Sequence, residues 1–215
     1  MYKAIIFDLD GTLLNTLGDI RYVLNESLAK FGLLQLSVTE AMALLGNGAK
    51  RLVFDAVGEN NRAIAGDVYE YYSKLIAACA NDKTELYEGE ESTLSVLKVK
   101  GVKFAIITNK PQKAAENNYQ KYLSEFGFDC VLGQTDKFPL KPDPASTLAV
   151  IKKLGVDKSE CLFVGDGETD VLTAKAANIK CVSALWGYRT RQQLDVAGAT
   201  DFAQKFSDLI NYFNV

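Results

Sequence analysis

The chain of 215 residues contains no histidine. Histidine is the commonest general acid and base and a common metal ligand, so its absence excludes every mechanism and metal site built on an imidazole. Proton transfer must then be carried out by carboxylates, lysine, tyrosine or cysteine. A metal site without imidazole or clustered thiolates is expected to use oxygen ligands and to bind a hard cation.

Cysteines are also few. The four cysteines lie far apart, and no two of them form a Cys-x-x-Cys pair; they are Cys79, Cys130, Cys161 and Cys181. This spacing indicates neither a zinc site nor a redox-active pair. We expect buried free thiols.

An excess of charge and long apolar runs are missing as well. The formal net charge is −3, which gives no electrostatic basis for binding nucleic acid or an anionic membrane surface. The apolar run before Asp8 is too short for a signal peptide, and no stretch approaches the length of a membrane span. We therefore expect a cytoplasmic protein, a monomer or homodimer, whose partner is a small molecule.

Short apolar runs are present, as expected for strands covered on both faces of a parallel sheet. They are Ala4-Phe7, Phe104-Ile107, Cys130-Leu132, Cys161-Val164 and Cys181-Leu185. Helical patterns over residues 91–100, 111–126 and 144–154 lie between them, and each stops before a glycine. This alternation predicts an α/β fold with a Rossmann-like, doubly wound parallel sheet.

Between the first and second apolar runs the pattern is helical throughout. Leu17, Ile20, Leu24 and Leu28 recur at helical spacing, and Ser37 begins a capping box. We therefore predict an inserted α-helical cap subdomain over residues 16–85. The catalytic core would consist of residues 1–15 plus 86–215.

Polar residues follow the predicted strands. In open α/β sheets, ligands bind beyond the carboxyl ends of the strands, so these residues are expected to meet at one site. They are Asp8 and Asp10 after the first strand, Thr108, Asn109 and Lys110 after the second, Lys141 in the loop after the third, and Asp166 and Asp170 after the fourth.

Such a site would be strongly negative, because four carboxylates would face Lys141 as the only cation. Two carboxylates about 4 Å apart repel by roughly 4 kcal/mol at an effective dielectric constant near 20, so the site needs a metal cation. Oxygen ligands shared with phosphate and water favour Mg²⁺ over Ca²⁺. Phosphoryl transfer suits these groups best: a carboxylate attacks in line, an aspartyl-phosphate forms, and Asp10 acts as acid and base.

The same motifs, in the same order, are similar to those of the haloacid dehalogenase-like hydrolase superfamily, and specifically of its phosphoglycolate phosphatase-like branch. The segments that carry the resemblance are Asp8-Leu9-Asp10-Gly11-Thr12, Thr108-Asn109-Lys110, Lys141-Pro142-Asp143-Pro144, Gly165-Asp166-Gly167-Glu168-Thr169-Asp170 and Trp186-Gly187-Tyr188-Arg189. The resemblance implies that Asp8 is the nucleophile and Asp10 the acid/base. It also implies that Mg²⁺ is held by the Asp8 carboxylate, the Asp10 backbone carbonyl and Asp166.

The resemblance further implies the phosphate-binding groups. Thr108 and Lys141 would hold the phosphoryl group, assisted by the amide of Asn109, while Asp170 would support the metal ligands or Lys141.

The cap segment over residues 46–51 is similar to the substrate-specificity loop of that branch. By this resemblance Lys50 or Arg51 would meet an anionic group on the substrate.

The function expected from these features is Mg²⁺-dependent hydrolysis of a small anionic phosphate monoester, with phosphoglycolate as the best single candidate. A phosphosugar mutase or an inorganic pyrophosphatase would use the same residues. A haloacid dehalogenase is disfavoured, because a halide leaving group would give Asp10 no proton to transfer. From a different class, the alternative is a catalytically silent module that binds metal or phosphate.

Overall fold

A computed structural model describes residues 1–213 of the chain. Its strands are β1 (Ala4–Phe7), β2 (Leu14–Asn15), β3 (Glu85–Leu86), β4 (Lys103–Pro111), β5 (Cys130–Gln134), β6 (Cys161–Gly165), β7 (Lys180–Ala184) and β8 (Phe202–Ala203). Its α-helices are α1 (Leu17–Lys30), α2 (Val38–Ala43), α3 (Ala49–Val57), α4 (Ala65–Ala77), α5 (Glu90–Val99), α6 (Gln112–Asn118), α7 (Ala145–Leu154), α8 (Glu168–Ala177) and α9 (Arg191–Ala197).

Shorter helical segments complete the description. A π turn spans Tyr119–Leu123, and 3-10 turns span Glu59–Ile64, Ser124–Phe126, Lys158–Glu160 and Phe206–Phe213. Within the described residues, no helix is both long and apolar enough to cross a membrane.

Six strands form one sheet in the order β5-β4-β1-β6-β7-β8, and every pair of neighbours is parallel. This is the order of a doubly wound Rossmann-like sheet, with β1 between the two halves. The predicted fold class is therefore confirmed. The carboxyl ends of β1, β4 and β6 meet at one edge, which is where the candidate residues follow their strands.

The central strands are apolar throughout because both of their faces are covered. On one face, Phe7 packs against Phe104, Phe128 and Phe206, with ring centroids 6.1 to 6.2 Å away. On the other face, alternate residues such as Ile6 pack beneath α7 and α8. The aromatic cluster is the largest part of the core in the described chain.

Several elements differ from the sequence prediction. Strand β4 runs to Pro111 and not only to Ile107, because its register against β5 shifts over that interval and pairing resumes beyond it. The helix expected over 111–126 is divided into α6, a π turn and a 3-10 turn. Strands β2, β3 and β8 have two residues each, too few to show the alternation by which strands are recognised.

The cysteines are all free, but only Cys161 is fully buried and the other three are half-buried. The expectation of free thiols is confirmed, and that of complete burial is wrong for three of them.

Helices α1 to α4 have an apolar cluster of their own, which includes Leu24, Leu28, Val53 and Val68. At the two ends of this helical region, β2 and β3 pair as an antiparallel ribbon. We propose that this ribbon marks the boundary between a core of residues 1–15 and 86–213 and a cap of residues 16–85.

Truncation of Phe206 tests the aromatic cluster. Phe206→Ala leaves a cavity beside Phe7 and Trp186, so the free energy of unfolding is expected to fall by about 3–5 kcal/mol in urea titrations. Val99→Ala is the control, because Val99 is 90% exposed and its truncation should change stability by less than about 0.5 kcal/mol. Equal effects of the two substitutions would contradict this description of the core.

Candidate active site

Asp8 follows β1 at the centre of the sheet edge. Its backbone N–H donates to Val164 O at 2.9 Å and so continues the β1–β6 ladder by one residue. The carboxylate is buried, and Lys141 Nζ lies 2.8 Å from Asp8 Oδ1. The same ammonium group lies 2.6 Å from Asp170 Oδ1, so one buried lysine links the end of β1 to the first turn of α8.

The carboxylates of Asp8, Asp166 and Asp170 each place an oxygen within 4.8 Å of the other two. Asp166 accepts hydrogen bonds from Thr12 Oγ1 at 2.9 Å and from the Tyr188 N–H at 2.8 Å. These contacts fix the cluster in place. They do not neutralise it.

The close packing around Asp166 explains two glycines. A Cβ on Gly11 would lie 2.4 Å from Asp166 Oδ2, and a Cβ on Gly187 would lie 2.2 Å from Asp166 Cβ. Gly11 also has φ +84°, a conformation that other residues rarely adopt. The glycine of the Asp8-to-Thr12 segment is therefore needed for the turn and for the approach of the Asp166 carboxylate.

Burial dominates the ionisation of this cluster. It raises the pKa of Asp8 to about 8, with Asp170 and Asp166 adding to the effect and Lys141 opposing it. It also raises the pKa of Asp166 to about 7, reinforced by Asp170. Burial alone would lower the pKa of Lys141, but Asp170 and Asp8 hold it above its ordinary value.

The cluster fits a divalent metal cation. Its three carboxylates are oxygen donors that converge within one coordination sphere, and Lys141 does not offset their charge in full. Oxygen donors without imidazole or thiolate select hard ions. A bound cation would favour the ionised form of Asp8 that burial now disfavours.

Asp10 lies next to this cluster with different partners. Lys110 Nζ lies 2.8 Å from Asp10 Oδ1, and Thr16 Oγ1 donates to the same oxygen at 2.6 Å. Lys141 is therefore not the only cation of the site, contrary to the expectation from the sequence. The irregular end of β4 places the side chain of Lys110 in the site, where it is only 4% exposed.

Asn109 connects three parts of the site. Its Nδ2 donates to Lys141 O at 3.1 Å and to Gly46 O of the cap at 3.0 Å, and its Oδ1 accepts from the Lys141 N–H at 2.8 Å. Thr108 is buried beside it and faces the same pocket. Both residues therefore lie where the sequence predicts, at the carboxyl end of β4.

A pocket of about 60 Å³ lies between the carboxylates and the helices. Its sheet side carries Asp8, Asp10, Thr108, Asn109, Lys110, Asp166 and Asp170. Its helical side is mainly apolar and consists of Ile20, Leu45, Gly46, Gly48, Ala49, Leu52 and Tyr72. A small ligand with one strongly charged end fits this division.

Lys50 and Arg51 do not line this pocket. Helix α3 begins at Ala49 and buries Ala49, Leu52 and Val53, so the two intervening side chains point outwards. Lys50 Nζ lies 5.6 Å from the centre of the Phe54 ring, and Arg51 Nε pairs with Asp55 Oδ2 at 2.6 Å. The structure thus brings the glycine segment over the site without bringing these two cations to it.

Arg189 is a pocket residue to which the sequence analysis gave no role. Its guanidinium pairs with Glu168 at 3.0 Å and donates to Met42 O at 3.2 Å and Leu45 O at 2.6 Å. It therefore holds the end of α2 against the sheet side. The sequence contains a signal for this role. The fifth predicted strand is followed by Trp186-Gly187-Tyr188-Arg189, just as the other predicted strands are followed by site residues.

Comparisons with known proteins identify relatives of this chain. The family model for haloacid dehalogenase-like hydrolases matches residues 5–184. Phosphoglycolate phosphatase 1 of Pseudomonas aeruginosa is 32% identical over 218 residues, covering 97% of this chain and 78% of that protein. Phosphoglycolate phosphatase of Pseudomonas fluorescens is 36% identical over 191 residues, covering 86% and 70%.

A solved structure shows the same similarity in three dimensions. It comes from Lactobacillus delbrueckii subsp. bulgaricus and is provisionally described as a phosphoglycolate phosphatase. Its TM-score is 0.90 at 27% sequence identity, covering 99% of this chain and 98% of that one.

The raised pKa of Asp8 has a consequence for stability in the absence of metal. The folded protein keeps a proton that the unfolded chain releases near pH 4, so this contribution to stability is lost as pH rises from about 4 to 8. In chelator, Asp8→Asn is expected to raise the melting temperature by about 4 °C or more at pH 8 and by less at pH 5.

The control for that measurement is Asp55→Asn, the same chemical change on the outer face of α3. Its effect on the melting temperature should not grow between pH 5 and pH 8. If Asp8→Asn melts at or below the temperature of the wild type at pH 8, the buried carboxylate of Asp8 does not destabilise the metal-free protein.

The outward direction of Lys50 and Arg51 is tested by substitution. Lys50→Ala and Arg51→Ala are each expected to change kcat/KM for a phosphate ester by less than about threefold, since neither side chain lines the pocket. A tenfold rise in KM from either substitution would show that these side chains reach the substrate after all.

Proposed function

Because the chain belongs to the haloacid dehalogenase-like hydrolases and is a phosphatase of their phosphoglycolate phosphatase-like branch, we propose that it hydrolyses a small anionic phosphate monoester with Mg²⁺ as cofactor. The reaction would pass through an aspartyl-phosphate on Asp8. The proposed substrate is phosphoglycolate, because the relatives are named phosphoglycolate phosphatases.

The proposal rests mainly on the different surroundings of Asp8 and Asp10. Asp8 and Asp10 lie two residues apart at the end of the central strand but have separate lysines, Lys141 and Lys110. Two carboxylates in different settings can perform different tasks, one as nucleophile and one as acid and base. A site built for binding alone would not need the second carboxylate and its own cation.

In the proposed first step, an oxygen of the Asp8 carboxylate attacks phosphorus and the bond from phosphorus to the ester oxygen breaks. Lys141, 2.8 Å from Asp8, offsets the charge of the phosphoryl oxygens. The hydroxyl group of Thr108, on the sheet side of the pocket, would donate a hydrogen bond to the phosphoryl group. Asn109 keeps Lys141 in position by the two hydrogen bonds that join it to the Lys141 backbone.

Asp10 would donate a proton to the leaving alkoxide and then take one from the water that attacks the phosphoenzyme. Thr16 and Lys110 both bond Oδ1 of this carboxylate, which fixes its orientation. The protein provides no imidazole for this task. The second step returns Asp8 as a free carboxylate and releases inorganic phosphate.

The metal would be held by the carboxylates of Asp8 and Asp166 and by the backbone carbonyl of Asp10, with Asp170 supporting Lys141. When bound, Mg²⁺ supplies positive charge to the phosphate oxygens and favours ionised Asp8. Magnesium suits the site because its ligands are oxygens that can be shared with phosphate and water.

Alternatives on the same residues are a phosphosugar mutase and an inorganic pyrophosphatase. The helical side of the pocket disfavours the mutase: among its lining residues in the described chain, only Tyr72 has a polar side chain that could bind sugar hydroxyls. A silent binding module is the alternative of another class. It would bind phosphate without releasing it.

The cytoplasm is the proposed location, supported by four cysteines of the described chain that form no disulfide. The proposed partner is the small phosphate ester itself, with the protein acting as a monomer or a homodimer.

The decisive variant is Asp8→Asn. With Mg²⁺, the wild type is expected to release phosphate from members of a metabolite panel that includes phosphoglycolate, and Asp8→Asn should lower kcat by at least about a thousandfold. Asp55→Asn, the matched surface control, should keep full activity. Retained turnover in Asp8→Asn, or isomer interconversion without phosphate release, would overturn the proposal.

A further inference from the structure

The side chain of Lys110 is unusual in its position at the end of β4. The strand changes register between Ile107 and Pro111, and the backbone there packs tightly on β5. A Cβ on Gly133 would lie 2.7 Å from Lys110 O, so β5 has a glycine where the irregular segment approaches. The fold therefore accommodates a distorted strand end that places a lysine in the pocket.

The pocket cations differ in how far they are already engaged. Lys141 lies between Asp8 and Asp170, and Arg189 contacts Glu168 and two carbonyl oxygens of the cap. Among the described residues, the ammonium group of Lys110 has one hydrogen-bond partner, Asp10 Oδ1. Since an ammonium group has three N–H donors, Lys110 is the lining cation with the most capacity to bind a ligand.

The position of Lys110 relative to Asp10 says which part of a ligand it would meet. A general acid lies about 2.6–3.2 Å from the oxygen that it protonates, so Lys110, 2.8 Å from Asp10, is close to the leaving oxygen of the ester. A group attached two bonds from that oxygen is within reach of the ammonium group. Groups further along a longer substrate would instead meet the apolar side chains of the cap.

We propose, on the basis of the phosphatase function above, that Lys110 determines specificity by binding a substrate carboxylate two bonds from the scissile ester oxygen. The preferred substrates are then phosphate esters of small 2-hydroxy acids. Phosphoglycolate is the simplest member of this class, and a methyl or similarly small substituent would contact Ile20 or Leu52. This assigns to Lys110 the recognition that the sequence assigned to Lys50 or Arg51.

The charges of the site support this assignment. Four carboxylates face two lysines, and the metal and phosphoryl group add opposite charges of their own. A further substrate carboxylate would be repelled by Asp10 unless a cation lay between them. Lys110 is placed to bind both carboxylates at once.

The experiment compares two esters that differ only beyond the reacting atoms: 2-phosphoglycolate, which has the carboxylate, and 2-hydroxyethyl phosphate, which has a neutral hydroxyl in its place. In Mg²⁺, the ratio of their kcat/KM values should favour phosphoglycolate in the wild type and fall at least about tenfold in Lys110→Met. Lys50→Met, the same change on the outside of α3, should leave the ratio unaltered.

A different role for Lys110 gives a different result. If Lys110 only orients Asp10, Lys110→Met lowers kcat/KM equally for both esters and leaves the ratio unchanged, which overturns the proposal. Lys110→Gln keeps a polar side chain beside Asp10 and carries the same prediction if Lys110→Met does not give a folded protein by circular dichroism.

Binding to Asp8→Asn separates this inference from the proposed function. Calorimetry should show tighter binding of phosphoglycolate than of 2-hydroxyethyl phosphate to Asp8→Asn, and no such preference in Asp8→Asn/Lys110→Met. If the wild type releases no phosphate but this preference holds, the proposed function fails and the role of Lys110 stands. If phosphate is released with a preference that does not depend on Lys110, the role of Lys110 fails and the function stands.

Discussion

Three buried carboxylates, those of Asp8, Asp166 and Asp170, lie within 4.8 Å of one another, and their mutual repulsion is the constraint on which the site depends. At an effective dielectric constant near 20, two such charges about 4 Å apart repel by roughly 4 kcal/mol. Lys141 offsets part of this repulsion through its contacts with Asp8 and Asp170. The remaining negative charge suits the site to a cation and, in the proposed function, to a phosphate beside that cation.

The fold supplies this arrangement through its topology. Parallel strands place their carboxyl ends at one edge, so residues separated by more than a hundred positions meet beside β1. The helical cap then covers that edge with apolar side chains, and polar contacts from Asn109 and Arg189 hold it there. The carboxylates of Asp8, Asp166 and Asp170 are buried beneath it, and burial strengthens each electrostatic interaction among them.

Much of this could be predicted from the sequence. The apolar strands and the residues after them, such as Asp8 and Asp166, follow local rules, and the parallel sheet brings them together. The sequence placed Lys110 after the second strand, but it did not show that the side chain enters the site as a second cation, because that depends on an irregular strand end and on Gly133 of a neighbouring strand. The sequence also did not show that the side chain of Lys50 points away from the site, since that depends on where α3 begins. Long-range packing decides such side-chain positions, and local spacing does not reveal them.

Asp8 is the group proposed to carry the phosphoryl group during turnover. The most direct measurement is acid quenching of the wild-type protein during steady-state turnover of phosphoglycolate with Mg²⁺, followed by borohydride reduction and peptide mass spectrometry. We expect reduction of an acyl phosphate at Asp8, and no such modification when substrate is omitted. Modification at another carboxylate, or phosphate release with an unmodified Asp8 at every quench time, would contradict this role of Asp8.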